Sequence, residues 1–285
     1  MRLRTFNHSR PDLTPYGFTC ELWKAAPMRR PDRHDEIELN LLMRGSLTYL
    51  LGGTRVTLPA GRLGAFWAAL PHQIIGSEDC PRYFVITLPL AWFLQCGLPP
   101  RLTDRLLSGN LVADQSAKRL ELDLALCRQW KQDLAGTRGN PTPACLLEIQ
   151  ARLMRMADSL PGNSGDPSGA IVAVGKGDAT KAEQMAGYIA RHYRDAPSIE
   201  SISRSVQLHP NYAMNLFKRM FRCTLNEYLT HYRISQAQRL LATSEMKVLD
   251  VAMESGFRTS SRFYDAFQTA CGCSPTRYRK EHQAN

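Results

Sequence analysis

Residues 217–228, Phe-Lys-Arg-Met-Phe-Arg-Cys-Thr-Leu-Asn-Glu-Tyr, and residues 267–278, Phe-Gln-Thr-Ala-Cys-Gly-Cys-Ser-Pro-Thr-Arg-Tyr, say nearly the same thing fifty residues apart. Phe217, Met220, Cys223, Thr224 and Tyr228 recur as Phe267, Ala270, Cys273, Ser274 and Tyr278. Each stretch closes one helical apolar–polar pattern, turns, and offers a hydroxyl residue that can cap a further helix. Two copies of one small helical unit suit a partner that is gripped at two places. A double-stranded DNA groove fits that description.

Working outward, the first copy begins with a short helix over Ile199 to Val206, turns through Gln207-Leu208-His209, and restarts at Pro210, where the missing proline donor is harmless. The second helix runs to about Met220, with Ala213, Leu216, Phe217 and Met220 spaced to face a core. That leaves Asn211, Tyr212, Met214, Asn215, Lys218 and Arg219 outward, amide and basic groups suited to a major groove. In the second copy Val248 to Ser255 ends at Gly256, and Ser260 to about Ala270 follows. Phe263, Ala266 and Phe267 point inward there, with Ser260, Ser261, Arg262, Tyr264, Asp265 and Gln268 outward or flanking. Between the copies lies a helix from Thr224 to Ala242, opened by the capping box Thr224-Leu225-Asn226-Glu227. At about 1.5 Å per residue it is a rod of about 28 Å. Successive major-groove faces lie roughly 34 Å apart, so the rod can hold two recognition helices near that spacing. An ordinary helical domain with a solvated basic face explains each helix alone, but not the duplication.

The chain has 285 residues, room for about two domains. Its 36 Lys and Arg against 26 Asp and Glu give a net charge of +10, which favours an anionic partner without choosing between nucleic acid and a membrane surface. Residues 182–285 hold 14 Lys and Arg and 9 Asp and Glu, so the surplus is present there but not confined there. No run of about 18 apolar residues exists, which argues against a membrane span. Met1 to Arg10 is polar and basic, unlike a secretory signal. The eight cysteines show no zinc-like spacing, and they read as reduced thiols in a cytoplasmic protein, with a redox sensor as the minor alternative.

The amino-terminal half changes period. Ile37, Leu39 and Leu41 alternate with Glu38, Asn40 and Leu42, as in a strand with one face on a core. Leu47 to Leu51 and Thr54 to Leu58 flank a Gly52-Gly53 hairpin signal, and Leu63 to Ala68 and Tyr83 to Leu88 add further β-rich segments. Short strands punctuated by Gly and Pro mean a β-sandwich or small barrel. Ser116 to about Leu134 and Ala144 to Leu160 read as two amphipathic helices, separated by a break over Gly136 to Pro143. They either cover the β core or pair with a second subunit. Residues 161–181, rich in Pro, Gly and Ser, read as a linker.

The carboxy-terminal hundred residues resemble the arabinose-regulator (AraC-type) family of bacterial transcription factors. The resemblance rests on Ala186 to Ile189 with Tyr193, Leu216-Phe217-Lys218, Tyr228-Leu229, Arg233-Ile234 with Ala237 and Leu240-Leu241. It continues through Gly256-Phe257, Ser260 to Phe263, Phe267, and Ser274-Pro275 with Tyr278-Arg279. Glu36 to Asn40, Phe66-Trp67-Ala68, Pro71-His72-Gln73 and Leu88-Pro89 extend it into the amino-terminal half. The resemblance implies an α+β chain. Residues 1–160 form a cupin-like effector-binding β-barrel with two dimerisation helices, residues 161–181 the linker, and residues 182–285 an all-α DNA-binding domain with two helix-turn-helix units joined by a long helix. It further implies a homodimer that activates sugar-use promoters, binds double-stranded promoter DNA and a small-molecule effector such as a sugar, and contacts the sigma subunit of RNA polymerase. Departures occur at Ser203, where the family usually has Ala, at Gln207 and Cys223, where Gly is frequent, and at His209, a poorer cap than Ser or Asn.

Carried over residue by residue, Asn211, Met214, Asn215, Lys218 and Arg219 in the first unit and Ser260, Ser261, Arg262 and Asp265 in the second are the DNA-facing set. Lys218 suits a phosphate, Met214 an apolar contact such as a thymine methyl, and Asp265 an orienting role beside an Arg. In the barrel, His34, Glu36, Trp67 and His72 are the candidate effector contacts, Trp67 as an aromatic plate. The competing class is a metal-dependent cupin enzyme fused to a DNA-binding domain. Enzymic cupins use His-x-His, a following Glu and a later His, whereas here His34 stands between Asp32 and Glu36. His34, His72 and a carboxylate from Glu36 or Glu38 make a two-His, one-carboxylate set. With the DNA-binding unit attached, the expectation is a regulator, no enzyme, with no cofactor.

Overall fold

A computed structural model describes residues 3–11, 14–135, 141–160, 181–221 and 223–283. Eight strands lie in the amino-terminal half: β1 (Thr19–Lys24), β2 (Glu36–Leu42), β3 (Ser46–Leu51), β4 (Thr54–Pro59), β5 (Leu63–Trp67), β6 (His72–Glu78), β7 (Arg82–Pro89) and β8 (Val112–Ala113). All their pairings are antiparallel, in a five-stranded sheet of order β1-β7-β2-β5-β8 and a three-stranded sheet of order β4-β3-β6. Among the described residues no strand ladder joins the two sheets, so the β unit is two facing sheets and not a barrel closed by hydrogen bonds. The Gly52-Gly53 signal is a two-residue hairpin turn between β3 and β4, with both glycines at positive φ, +53° and +85°.

Period-2 alternation assigns the two faces of the large sheet. Ile37, Leu39, Leu41, Ala65, Trp67, Phe84, Ile86 and Leu88 form one buried cluster with residues of α3 (Leu120–Ala135) and α4 (Pro143–Ser159), which follow the short helices α1 (Leu90–Gln95) and α2 (Pro100–Leu107). The pair α3 and α4 therefore covers its own core. Arg152 of α4 ties this layer together from inside: its Nε donates to Asp123 Oδ1 at 2.6 Å, its Nη2 to Asp123 Oδ2 at 2.9 Å, and its Nη2 also to Asp114. The opposite sheet face, with Phe66, Tyr83 and Val85, packs toward Leu47, Tyr49, Val56 and Ile74 of the small sheet. Glu38 and Asn40 share that face. Both are buried, correcting the expectation that the polar residues of β2 face water.

The carboxy-terminal half is helical: α5 (Lys181–His192), a 3-10 turn over Tyr193–Asp195, then α6 (Ile199–Ser205), α7 (Pro210–Phe221), α8 (Leu225–Thr243), α9 (Val248–Glu254), α10 (Ser260–Cys271) and α11 (Pro275–His282). The expected linker at residues 161–181 lies outside the described residues except for Lys181, and the break between α3 and α4 does so in part. The two halves share one apolar cluster in which Ala182, Met185, Ala186, Phe217 and Tyr228 join Leu50, Leu51 and Leu70. A Cβ on Gly53 would stand 2.5 Å from backbone atoms of Ala186 and Gly187, so the hairpin turn approaches α5 closely enough to require glycine. Beside it Arg55 Nη2 donates to both carboxylate oxygens of Glu183, at 3.0 and 2.9 Å. At the other end Asp35 accepts from the Tyr278 hydroxyl and pairs with His282 Nε2 at 3.3 Å.

Candidate nucleic-acid interface and ligand cavity

Local chemistry fixes the two recognition helices in the same way. Ser198 caps α6 by accepting from Ser201 N at 3.1 Å, and the buried Ser203 hydroxyl donates to Ile199 O at 2.6 Å, so the polar departure is satisfied. Gln207 takes a left-handed φ of +56° in the turn, where the family often has Gly. His209 does act as a cap: its Nδ1 accepts from Asn211 N at 3.4 Å. In the second unit Gly256 (φ +87°) ends the first helix, and a Cβ there would meet Tyr193 O at 2.6 Å. Thr259 caps α10 through Arg262 N. The connecting helix has both halves of its capping box, Glu227 N to Thr224 Oγ1 at 3.2 Å and Thr224 N to Glu227 Oε2 at 2.7 Å.

The repeated aromatics make the same contact twice. Phe217 meets Tyr228 edge-on at 5.3 Å and 80°, and Phe267 meets Tyr278 at 5.5 Å and 82°. Met220, expected in the core, is instead exposed, because Phe221 stacks on Phe217 at 4.4 Å and fills the inward position. With Ala213 matching Phe263 and Phe217 matching Phe267, all fully buried, the outward positions pair as Asn211 with Ser261, Met214 with Tyr264, Asn215 with Asp265 and Arg219 with Thr269. Asn211, Asn215, Lys218, Arg219, Ser260, Ser261, Arg262 and Asp265 are exposed and Met214 is half-buried. Tyr264, read as outward from the sequence, belongs to the same exposed face, as does Thr269, which the fifty-residue offset from Arg219 also points to. Arg262, Asp265 and Thr269 also flank an open cavity whose far wall includes Arg33 of the amino-terminal half.

A second cavity lies between the sheets and opens to solvent. The rings of Tyr16, Trp23, Tyr49 and Tyr83 line it, and Asp32, Glu38 and His72 supply its polar wall. Of the four effector candidates, only His72 lines it. His34 and Glu36 stand directly behind: His34 Nδ1 donates to Glu36 Oε2 at 2.8 Å and its Nε2 to Glu38 Oε2 at 3.0 Å. Trp67 is fully buried on the other sheet face, against the α3–α4 layer, so the aromatic plates of the cavity are Trp23 and the tyrosines. Glu38 and Asp32, neither of them among those candidates, take those places, Glu38 because β2 turns it inward and Asp32 because its backbone bridges to His72.

This polar wall is electrostatically coupled. Burial opposes the charge on His34, but the hydrogen bonds and charges of Glu36 and Glu38 outweigh it and raise its pKa to about 9. Burial likewise opposes the Glu38 and Asp32 carboxylates, yet the His34 bond and neighbouring imidazoles hold Glu38 down, and the imidazoles with Arg10 hold Asp32 down. Burial lowers His72. Arg10 Nη1 donates to Asp32 Oδ1 at 3.2 Å, and Tyr16 donates to Asp32 Oδ2 at 3.0 Å. The carboxylate of the two-His set is thus Asp32: donor atoms of Asp32, His34 and His72 all lie within 4.8 Å of one another.

None of the eight cysteines is in a disulfide; five are buried and three half-buried. No described helix is long and apolar enough to cross a membrane.

A family profile described as a helix-turn-helix domain matches residues 202–281. The melibiose operon regulatory protein of Escherichia coli (strain K12) is 31% identical over 255 residues, 88% of this chain and 83% of that protein. The uncharacterized HTH-type transcriptional regulator YijO of the same organism is 33% identical over 102 residues, 36% of each chain. Among solved structures, the C-terminal domain of AraT, a response regulator from Geobacillus stearothermophilus, is 25% identical, with a TM-score of 0.36 over 38% of this chain and 89% of that one. With two capped helix-turn-helix units behind a two-sheet domain, and a relative matched along most of its length, the chain belongs to the arabinose-regulator (AraC-type) family of DNA-binding transcription regulators.

Proposed function

We propose that this regulator is an effector-responsive, homodimeric activator of a carbohydrate-utilisation operon, reading promoter DNA with α7 and α10 in adjacent major-groove segments. Residues 1–160 form the effector and dimerisation part, 161–181 the linker and 182–285 the DNA-binding part. Base-edge and phosphate contacts come from Asn211, Met214, Asn215, Lys218 and Arg219, and from Ser260, Ser261, Arg262 and Asp265. The effector sits between the sheets. His72 with Asp32 and Glu38 bonds its hydroxyls, the aromatic rings stack on its C–H face, and His34 and Glu36 hold the acceptors in place.

One observation carries the effector reading: the polar wall of the cavity and the contact with the DNA-binding half lie on the same short segment. Asp32 lines the cavity, while Asp35 holds Tyr278 and His282 of α11. Carbohydrate is favoured because a relative matched over most of its length is named for a melibiose operon. The dimer reading draws on Leu147 and Met154, exposed seven residues apart on one face of α4, with Leu122 exposed on α3. Contact with the sigma subunit of RNA polymerase belongs to the same reading of an activator.

The test uses the full chain. Fluorescence anisotropy on duplexes from its own upstream region should show sequence-specific binding whose logarithm falls linearly with log salt. Melibiose and related galactosides, screened first, should raise the thermal midpoint, because a ligand of the folded state adds stability by mass action. Equal affinity for scrambled duplexes would leave only a non-specific DNA coater. A midpoint unmoved by every sugar would remove the carbohydrate effector and leave the DNA reading intact.

A further inference from the structure

We infer that Asp32, His34, Glu38 and His72 bind one divalent first-row transition-metal ion in the wall of the inter-sheet cavity. The inference does not depend on the cavity taking a sugar. The four side chains come from backbone that is already fixed. Asp32 and His72 face each other across an antiparallel bridge, with Asp32 N to His72 O at 2.8 Å and His72 N to Asp32 O at 3.1 Å. His34 N donates to Ala68 O at 3.0 Å, and Glu38 lies in the centre of β2. All four are buried.

The orientation of the rings points to a ligand. His72 Nδ1 donates to Leu70 O at 3.1 Å, so its Nε2 lone pair is left facing the cluster. His34 Nδ1 donates to Glu36 Oε2 at 2.8 Å, and Glu36 Oε1 is in turn held by Gly17 N at 2.7 Å. The Nε2 atoms of both rings converge on Glu38 Oε2, at 3.0 Å from His34 and 4.0 Å from His72. Asn40 Nδ2 holds the other oxygen of Glu38 at 2.9 Å. Asp32 is held by Tyr16 and Arg10, and a carboxylate has lone pairs left over for a further bond. His72, His34 and Glu38 thus each have the far side tied down by a second hydrogen bond, the outer arrangement that orients metal-binding imidazoles and carboxylates, while Arg10 and Tyr16 between them hold both oxygens of Asp32.

Size and donor type narrow the ion. Two ligands about 2.1 Å from one ion lie roughly 3.4–4.2 Å apart, close to the 3.0 and 4.0 Å that separate Glu38 Oε2 from the two Nε2 atoms, while the donor atoms of Asp32, His34 and His72 lie within 4.8 Å of one another. An N2O2 set with two imidazoles suits Zn²⁺, Mn²⁺, Fe²⁺ or Co²⁺, whereas Mg²⁺ and Ca²⁺ call for oxygen donors. The ion takes the place of the proton that His34 Nε2 now shares with Glu38.

Untagged full-length protein is loaded with Zn²⁺, dialysed against metal-free buffer and analysed for metal, with Co²⁺ absorption as a second readout. About one ion per chain should remain, and the ion should raise the thermal midpoint. His72→Gln and Asp32→Asn, checked for native fold by circular dichroism, should each weaken retention about 100-fold or more. Glu36→Gln, which holds the His34 ring without being one of the four ligands, should weaken it about 10- to 100-fold. Retention of the ion by His72→Gln at wild-type level overturns the site, as does loss of all metal from the wild type on dialysis. Mg²⁺ competing as well as Zn²⁺ also overturns it, since the imidazoles would then have no part in binding. DNA affinity is not a readout, so failure here and failure of the regulator reading are separate outcomes.

Discussion

At the scale of single residues, strain and recognition separate cleanly in the two helix-turn-helix turns. Gln207 holds φ +56° while the equivalent Gly256 holds +87°. A side chain in the left-handed region costs about 1–2 kcal/mol, and the extra unfolded-state freedom of glycine takes back about 0.4–1. Gln207→Gly should therefore stabilise the chain by up to about 1.5 kcal/mol, read as a higher urea midpoint at constant slope. A lower midpoint would mean that the Gln207 side chain makes a contact worth more than the strain. On the outward face of α7, Asn215 carries an amide suited to a base edge and Lys218 a point charge. Asn215→Ala should cost about 1–3 kcal/mol on the specific duplex and little on a scrambled one. Lys218→Ala should weaken both duplexes alike and reduce the salt slope by about one. Identical behaviour of the two variants would take Asn215 away from the bases.

At the scale of elements, the helical half was legible because caps and the helix period mark both ends of a helix. Val248 to Ser255 was expected and Val248–Glu254 is found. The β half was less so, and for a physical reason. Alternation along β2 separates two faces but does not say which one meets water, and a second sheet covers the face carrying Glu38 and Asn40. His72 opens β6 directly after Pro71, since a proline just before a strand costs no ladder bond. Arg152 shows a related limit: a single Arg within an amphipathic helix looks solvated until the fold brings Asp114 and Asp123 to it. Arg152→Ala would leave two buried carboxylates without their cation and should destabilise the chain by about 3–5 kcal/mol in denaturant titration. Replacing Arg152, Asp114 and Asp123 together by apolar residues of similar size should restore most of that loss. If the single change costs less than about 1 kcal/mol, water reaches the cluster and the α3–α4 layer is looser than its burial implies.

At the scale of the whole molecule, the two halves are joined by polar contacts at both ends of a shared apolar cluster. One of them should respond to pH. Burial works against a charged His282, but the hydrogen bond and charge of Asp35 prevail and raise its pKa, with the Tyr278 carbonyl and Glu281 acting in the same direction. A raised folded pKa means that the contribution is fully present below about pH 6.5 and is lost as the pH climbs through the higher folded value. The thermal midpoint difference between wild type and His282→Gln should therefore shrink as the pH rises above about 6.5, whereas a constant difference would show that the pair adds nothing. Residues 32–36 run between these regions in extended register. Asp32, His34 and Glu36 turn to the cavity wall, while Arg33 borders Tyr228 and His231 and Asp35 holds α11. On the proposed effector reading, one strip of backbone serves both sides, so an occupant that grips it from the cavity bears on the DNA-binding half, and the reverse holds with equal force. Thermodynamic reciprocity then fixes a single number: the factor by which an occupant of the cavity changes operator affinity is the factor by which the operator changes affinity for that occupant.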